Sequence, residues 1–165
     1  MVAIVASSNY LVQFPINDWL TWGALTYPVS FLVTELTNFF HGTRIAKRVI
    51  WAGFFTGVAV SSIVASPRIA IASGMAYLLA QLFDLYLFNQ LRQRPWWTAP
   101  LIASVLATGL DTIIFWMLAF YGEDLPIITL ALGDFLVKFF LDLGMLAPFR
   151  MAIRAQQPSR SLSGN

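Results

Sequence analysis

Apolar residues run through this chain in stretches of about twenty, the length a helix needs to cross the roughly 30 Å hydrocarbon core of a bilayer, with only short polar connectors between them. A segment in lipid has no water to bond its backbone, so it must satisfy its own N–H and C=O groups, and a helix does so internally. Composition points the same way. Charged residues make up 11% of the chain, against about 25% in ordinary soluble domains, and the mean hydropathy is +0.71. The expected fold is all-α: an integral membrane bundle of six transmembrane helices near 1–16, 19–40, 49–66, 69–88, 97–121 and 126–149. They form a single transmembrane domain over 1–154, followed by a disordered tail over 155–165. Six crossings nearly exhaust 165 residues and leave no room for a soluble domain. The connectors, Pro15-Ile16-Asn17-Asp18, His41 to Arg48, Ser66-Pro67-Arg68, Asn89 to Pro95 and Gly122 to Pro126, carry the Pro and Gly that favour chain reversal. The apolar amino terminus has neither a basic n-region nor an A-x-A cleavage site, and reads as a retained first span.

Alternate connectors must lie on opposite sides of the membrane, and Lys and Arg gather on the cytoplasmic one. One side receives Arg44, Lys47 and Arg48, then Arg92 and Arg94, then Arg150, Arg154 and Arg160, while the other receives only Arg68. Eight against one puts the carboxyl terminus in the cytoplasm, and six spans put the amino terminus there too. Trp19 and Trp22 fall at one interface and Trp51, Trp96 and Trp97 at the other, in the manner of aromatic belts.

Several chemistries lose their usual supports. Cysteine is absent and His41 is the only histidine, so disulfides, Cys nucleophiles and transition-metal sites are not expected. H-E-x-x-H, G-x-S-x-G and a Walker P-loop are all missing, so neither an enzyme nor a cofactor is expected. The net charge of +2 does not imply nucleic acid, because the basic residues sit beside spans rather than on one continuous face.

Two spans share a small-residue stripe. Ala72, Ala76, Ala80 and Asp84 repeat as Ala99, Ala103, Ala107 and Asp111, each A-x3-A-x3-A-x3-D, at a constant offset of 27. Small residues every four positions let helix backbones approach closely in lipid. The plain reading is two tightly packed helices; the sharper one is a relic of the inverted repeats common in transporters, since consecutive spans run in opposite directions. Gly53, Gly57 and Ser61 form a third stripe, usable within the chain or in a homodimer.

Glu35, Asp84, Asp111, Asp134, Lys138 and Asp142 all fall inside the expected spans. Each costs about 2.5–3.5 kcal/mol at a helix centre, so these groups are expected to face the bundle interior, paired, protonated or awaiting a ligand. Asp134, Lys138 and Asp142 stand at i, i+4 and i+8, within ion-pairing reach along one face, which serves either as a self-compensated structural triad or as part of a site. Each of three carboxylates has a neutral polar group about a turn away: Glu35 with Asn38, Asp84 with Gln81, and Asp111 with Thr108. Five carboxylates and one lysine make an acidic interior that repels anions and suits neutral or cationic hydrogen-bond donors. Tyr27, Tyr77, Tyr86 and Trp116 lie at the same depths and offer rings on which a planar solute can stack.

The stretch Thr26-Tyr27-Pro28-Val29-Ser30-Phe31-Leu32-Val33-Thr34-Glu35-Leu36-Thr37-Asn38, followed by Gly42, resembles a helix-two signature of the bacterial queuosine precursor transporter family, also called the vitamin uptake transporter family. Leu110-Asp111-Thr112 with Phe115 resembles its helix-five signature, and the likeness extends over nearly the whole chain. The family commonly carries aspartate where Glu35 stands, so the charge is kept on a longer arm. The resemblance implies a multi-pass protein of the bacterial inner membrane that imports 7-deazaguanine bases, such as 7-cyano-7-deazaguanine or its 7-aminomethyl form. The expected partners are therefore a purine-like small molecule and the lipid bilayer, with no nucleic acid. An alternative reading is the substrate-binding subunit of an energy-coupling-factor importer, which would need coupling subunits docked on stripes such as Ala99, Ala103 and Ala107.

Overall fold

The computed structural model describes residues 1–11, 14–17, 20–64, 66–124 and 126–155. Trp19, Asp18 and the tail from 156 onward lie outside the described residues. In chain order the elements are α1 (Val2–Leu11), β1 (Pro15–Asn17), β2 (Leu20–Thr21), α2 (Trp22–Thr26), α3 (Val29–His41), α4 (Thr43–Val64), α5 (Pro67–Leu91), α6 (Thr98–Phe120) and α7 (Ile127–Ala155). Apart from the short antiparallel ribbon of β1 and β2, in which Pro15 stands opposite Thr21, the described architecture is all-α.

Among the described residues three helices, α4, α5 and α6, are long and apolar enough to cross a membrane. At 1.5 Å per residue they reach about 33, 37 and 34 Å, each more than the roughly 30 Å hydrocarbon core. α7 is longer still, but Asp134, Lys138 and Asp142 interrupt its apolar run. Side-chain placement reverses that of a soluble bundle. Ile63, Ile71, Ile113, Ile128 and Phe140 point outward, whereas Asn38, Gln81, Asp84 and Thr108 have no exposed surface at all. Only a solvent as apolar as lipid makes that distribution favourable.

Local chemistry moves several expected boundaries. The first helix ends at Leu11 rather than near 16, because Pro15 lies in extended β1 and has no N–H to continue a helix. The expected span 19–40 is broken in two. Pro28 lacks an N–H and its ring would meet the carbonyl of residue 24, so the chain turns at Tyr27 and Pro28 before α3 begins. The connector drawn from His41 to Arg48 shrinks to Gly42, whose φ of +83° suits glycine and whose N–H closes on the Asn38 carbonyl at 3.0 Å. Arg44, Lys47 and Arg48 therefore lie on the first turns of α4, exposed. Ser66 caps α5 by accepting from the Ile69 N–H, and Pro67 opens that helix where no N–H is needed.

α5 and α6 make the broadest contact in the bundle, and the alanine stripes lie in its interior: Ala72, Ala76, Ala80, Ala99, Ala103 and Ala107 are all buried. Phe31 of α3 covers Ala80 and Ala107, while Phe88 and Phe149 pack with Ala99 and Ala103. The ends of the helices are tied separately. At one end Arg68 donates to the Leu118 and Tyr121 carbonyls and reaches Glu123. At the other the Arg150 guanidinium stacks over Trp96 at 4.5 Å.

The third stripe is likewise spent within the chain. A Cβ built on Gly53 would overlap the buried Tyr77 hydroxyl and crowd the Met1 side chain. Gly53→Ala should therefore destabilise the protein by about 1–3 kcal/mol through overpacking, read as a lower melting temperature in detergent. Gly133→Ala, inside α7 with nothing within 4 Å of the new methyl, should not destabilise it.

Candidate functional site

The broken α2–α3 segment brings Tyr27 into the interior, where its hydroxyl donates to Asp111 Oδ1 at 2.8 Å. Lys138 Nζ, 5.3 Å from the centre of the Tyr27 ring, donates to Asp111 Oδ2 at 3.0 Å and to Asp134 Oδ2 at 2.6 Å. Thr112 also donates to Asp134, at 3.3 Å. One turn farther along, Thr108 donates to Asp142 Oδ2 at 2.7 Å. α6 and α7 thus face each other as an antiparallel ladder with three rungs: Thr112 to Asp134, Asp111 to Lys138, and Thr108 to Asp142.

That ladder corrects the triad expected on α7. Lys138 pairs with Asp134 as its spacing requires, but its second partner is Asp111 of α6, and Asp142 has no ion pair with it. The reason is geometric. Both Asp134 and Asp142 are one turn from Lys138, but α6 sets a carboxylate against the lysine and a hydroxyl against Asp142.

The neutral polar residues close two other layers. Gln81 of α5 donates to Ser30 at 2.9 Å and accepts from Thr34 at 2.6 Å, fastening α3 to α5. Asn38 donates to Asn89, Asn89 donates to Thr43, and Thr43 donates back to Asn38, each near 3 Å, which joins α3, α4 and α5 at the end bearing the basic residues. Asn38 and Gln81 each donate and accept one such bond, and so help to hold helices together.

Three carboxyl groups are left over. Glu35 Oε1, Asp142 Oδ1 and both oxygens of Asp84 are buried without a hydrogen-bond partner. Glu35 of α3 and Asp142 of α7 line one small cavity with Pro28, Phe31 and Ser104, and Asp84 is close enough to feel both charges. The free space measures about 10 Å³, room for about one water molecule. Of the site residues expected from sequence, the structure thus groups Tyr27, Asp111, Asp134 and Lys138 in one network and Glu35, Asp84 and Asp142 in another, with Thr108 between them. Ser30, Thr43, Asn89, Ser104 and Thr112 were not among the site residues expected from the sequence, although Ser30 and Thr112 stand in its two signature stretches. Ser30, Thr34 and Asn38 do stand at i, i+4 and i+8, a polar face that helical spacing alone makes visible.

A bundle that turns its apolar side chains outward and buries its carboxyls has the organisation of a membrane protein. The family described as "Putative vitamin uptake transporter" matches residues 21–66 and 60–153. The chain is 32% identical to the "Queuosine precursor transporter" of Escherichia coli (strain K12), over 88% of its own length and 79% of that protein's. It is also 32% identical to a "Probable queuosine precursor transporter" of Haemophilus influenzae, over 89% and 80%, and 23% identical to one of Bacillus subtilis, over 84% and 73%. No solved structure matches the chain. The chain belongs to the vitamin uptake transporter family, whose members are transporters and not enzymes.

Removing one partner of a buried ion pair costs about 3–5 kcal/mol because the other charge is stranded. Lys138→Met should strand Asp111 and Asp134 together and sharply lower the yield of folded protein. The triple change Asp111→Asn, Asp134→Asn and Lys138→Met should restore that yield, measured as monodisperse protein after extraction.

Proposed function

We propose that this protein imports 7-deazaguanine bases, 7-cyano-7-deazaguanine or its 7-aminomethyl form, across a bacterial inner membrane. The observation that carries the reading is the pair of unpartnered carboxylate oxygens, on Glu35 and Asp142, that face one cavity from two different helices. A guanine-like edge presents a ring N–H and an amino group side by side, and the paired oxygens of a carboxylate suit it. Ser104, whose hydroxyl donates to the Leu101 carbonyl, keeps acceptor capacity toward the cavity, and Pro28 and Phe31 give an apolar wall for the ring face. The aminomethyl form is a cation and gains further from an acidic site. The names of the bacterial relatives support the same substrate class.

Space for about one water is far short of the roughly 300–1,000 Å³ of ordinary ligand pockets, so the arrangement corresponds to a closed state. α3 and α7, which supply Glu35 and Asp142, must part to admit a base. The alternative energy-coupling-factor reading finds less support, because Ala99, Ala103 and Ala107 are buried within the chain and offer no docking surface. Uptake of labelled 7-cyano-7-deazaguanine by liposomes containing only this chain would exclude obligate coupling subunits.

For topology, α2–α3 counts as one broken crossing and α4 to α7 as four more, with the basic helix ends and the carboxyl terminus cytoplasmic. The expected sixth crossing, and with it a cytoplasmic amino terminus, falls to α1, whose ten residues extend about 15 Å, half the hydrocarbon thickness. A reporter fused after Arg154 should read cytoplasmic, and one inserted between Glu123 and Asp124 external; an external carboxyl terminus would overturn this topology.

The function is tested by uptake in a strain unable to make deazaguanines, with and without this chain. Glu35→Gln and Asp142→Asn should each weaken uptake about ten- to a hundredfold at unchanged protein level, since a charge-assisted hydrogen bond contributes about 1.5–3 kcal/mol. Undiminished uptake in both variants would remove these two residues from the site.

A further inference from the structure

Asp84 is the buried carboxyl that neither the ion-pair network nor the cavity uses. It has no exposed surface, neither oxygen has a partner, and it is not among the residues lining the cavity. Its own helix offers no help, because Gln81, one turn back, is committed to Ser30 and Thr34. The ionisable groups on the helices packed around it are acidic or occupied. α3 brings Glu35 and α7 brings Asp142, both acids. Lys138 of α7 and Asp111 of α6 are bound to each other, and Arg44, Lys47 and Arg48 of α4 are exposed. An ionised carboxylate with no donor and two acidic neighbours is strongly disfavoured in such an interior.

We propose that Asp84 is a proton-binding site, and that its loading and unloading couples solute movement to a proton gradient. The proposal rests on the transport reading above. The ligand is a proton rather than a metal ion: among the described residues no three acidic or histidine side chains converge closely enough to hold a metal. The step balances simply. The Asp84 carboxylate takes a proton from the outer aqueous phase to become a neutral carboxyl, and after the bundle reopens returns it to water at the basic end.

Coupling follows from where the charges stand. With Asp84 neutral, Glu35 and Asp142 are relieved of a like charge, which favours the ionised, accepting form at the cavity when a solute brings hydrogen-bond donors to it. With Asp84 ionised, three negative charges compete in one unscreened region. Proton at Asp84 and solute at the cavity therefore favour each other, and by linkage each raises the affinity for the other. A solute bound at the cavity carries its proton with it.

The test has two arms. In lipid discs at neutral pH, infrared spectroscopy of the wild-type protein should show a protonated-carboxyl C=O band that Asp84→Asn lacks. In proteoliposomes with labelled 7-cyano-7-deazaguanine, the wild type should accumulate the base when the outside is acidic, up to about tenfold per pH unit for one proton per molecule. Asp84→Asn, isosteric and neutral, should still exchange the base between the two sides but fail to concentrate it. A wild type without the carboxyl band, or an Asp84→Asn protein that concentrates the base as the wild type does, would overturn the proposal. If the wild type exchanges no base, the transport reading fails while the infrared arm still decides the proton.

Discussion

Lys138 is the one basic side chain buried among the described residues, and the arrangement of three helices follows from how its charge is met. An ammonium in hydrocarbon is tolerated only when paired and fully hydrogen-bonded. Asp134 on the same helix supplies one partner, and Asp111 on α6 the other. Because Asp111 also accepts from Tyr27, the same charge fixes where the chain turns between α2 and α3. Pro28 makes that turn necessary, and the Tyr27 hydrogen bond determines where its side chain goes. Without the lysine the α6–α7 ladder and the turn would both be built on repelling carboxylates.

Lipid gives helices no hydrophobic reason to associate, so close backbone packing has to do that work. The alanine stripes of α5 and α6 supply it, and Gly53 and Gly74 let α4 approach α5 against Tyr77, Val58 and Phe54. These three helices form the firm part of the bundle. α3 is attached to it through discrete polar layers, Ser30 and Thr34 on Gln81 and Asn38 on Asn89, while α7 is attached through the three rungs to α6. Hydrogen bonds between neutral side chains, as on α3, exchange partners at modest cost, whereas the buried Lys138–Asp111 pair of α7 is costly to break. Glu35 and Asp142 thus stand on the two helices fastened through polar side chains.

Much of this was legible in the sequence. The membrane class, the long helices α4 to α6 and the burial of five of the six ionisable groups, with Asp134 partly buried, follow from hydropathy and the cost of charge in lipid. So does the pairing of Lys138 with Asp134, which lies within one helix. What spacing does not contain is the relative rotation of two helices, and for that reason Asp111 was not identified as the second partner of Lys138, nor Thr108 as that of Asp142. Pro28 was visible as a residue, but an apolar run passing through it reads as one span. Gly42 was hidden by the charges after it, because Arg44, Lys47 and Arg48 look like a loop until their exposed positions on α4 are seen.

The repeated stripe ends differently in its two copies. In packing, α5 and α6 are alike: each buries the three alanines of its stripe and ends that stripe on an aspartate with little or no exposed surface. Running in opposite directions, they set Asp84 toward the end of α5 near Asn89 and Asp111 toward the opposite end of the bundle. Electrostatics breaks that equivalence, since α7 delivers Lys138 to Asp111 and only the acid Asp142 to the neighbourhood of Asp84. A bundle symmetrical in both packing and charge would have no preferred direction. Here one aspartate is neutralised by a fixed cation while the other depends on a mobile one, and the difference lies along the axis on which a solute would travel. The packing can thus retain its symmetry while the charges give the interior a polarity.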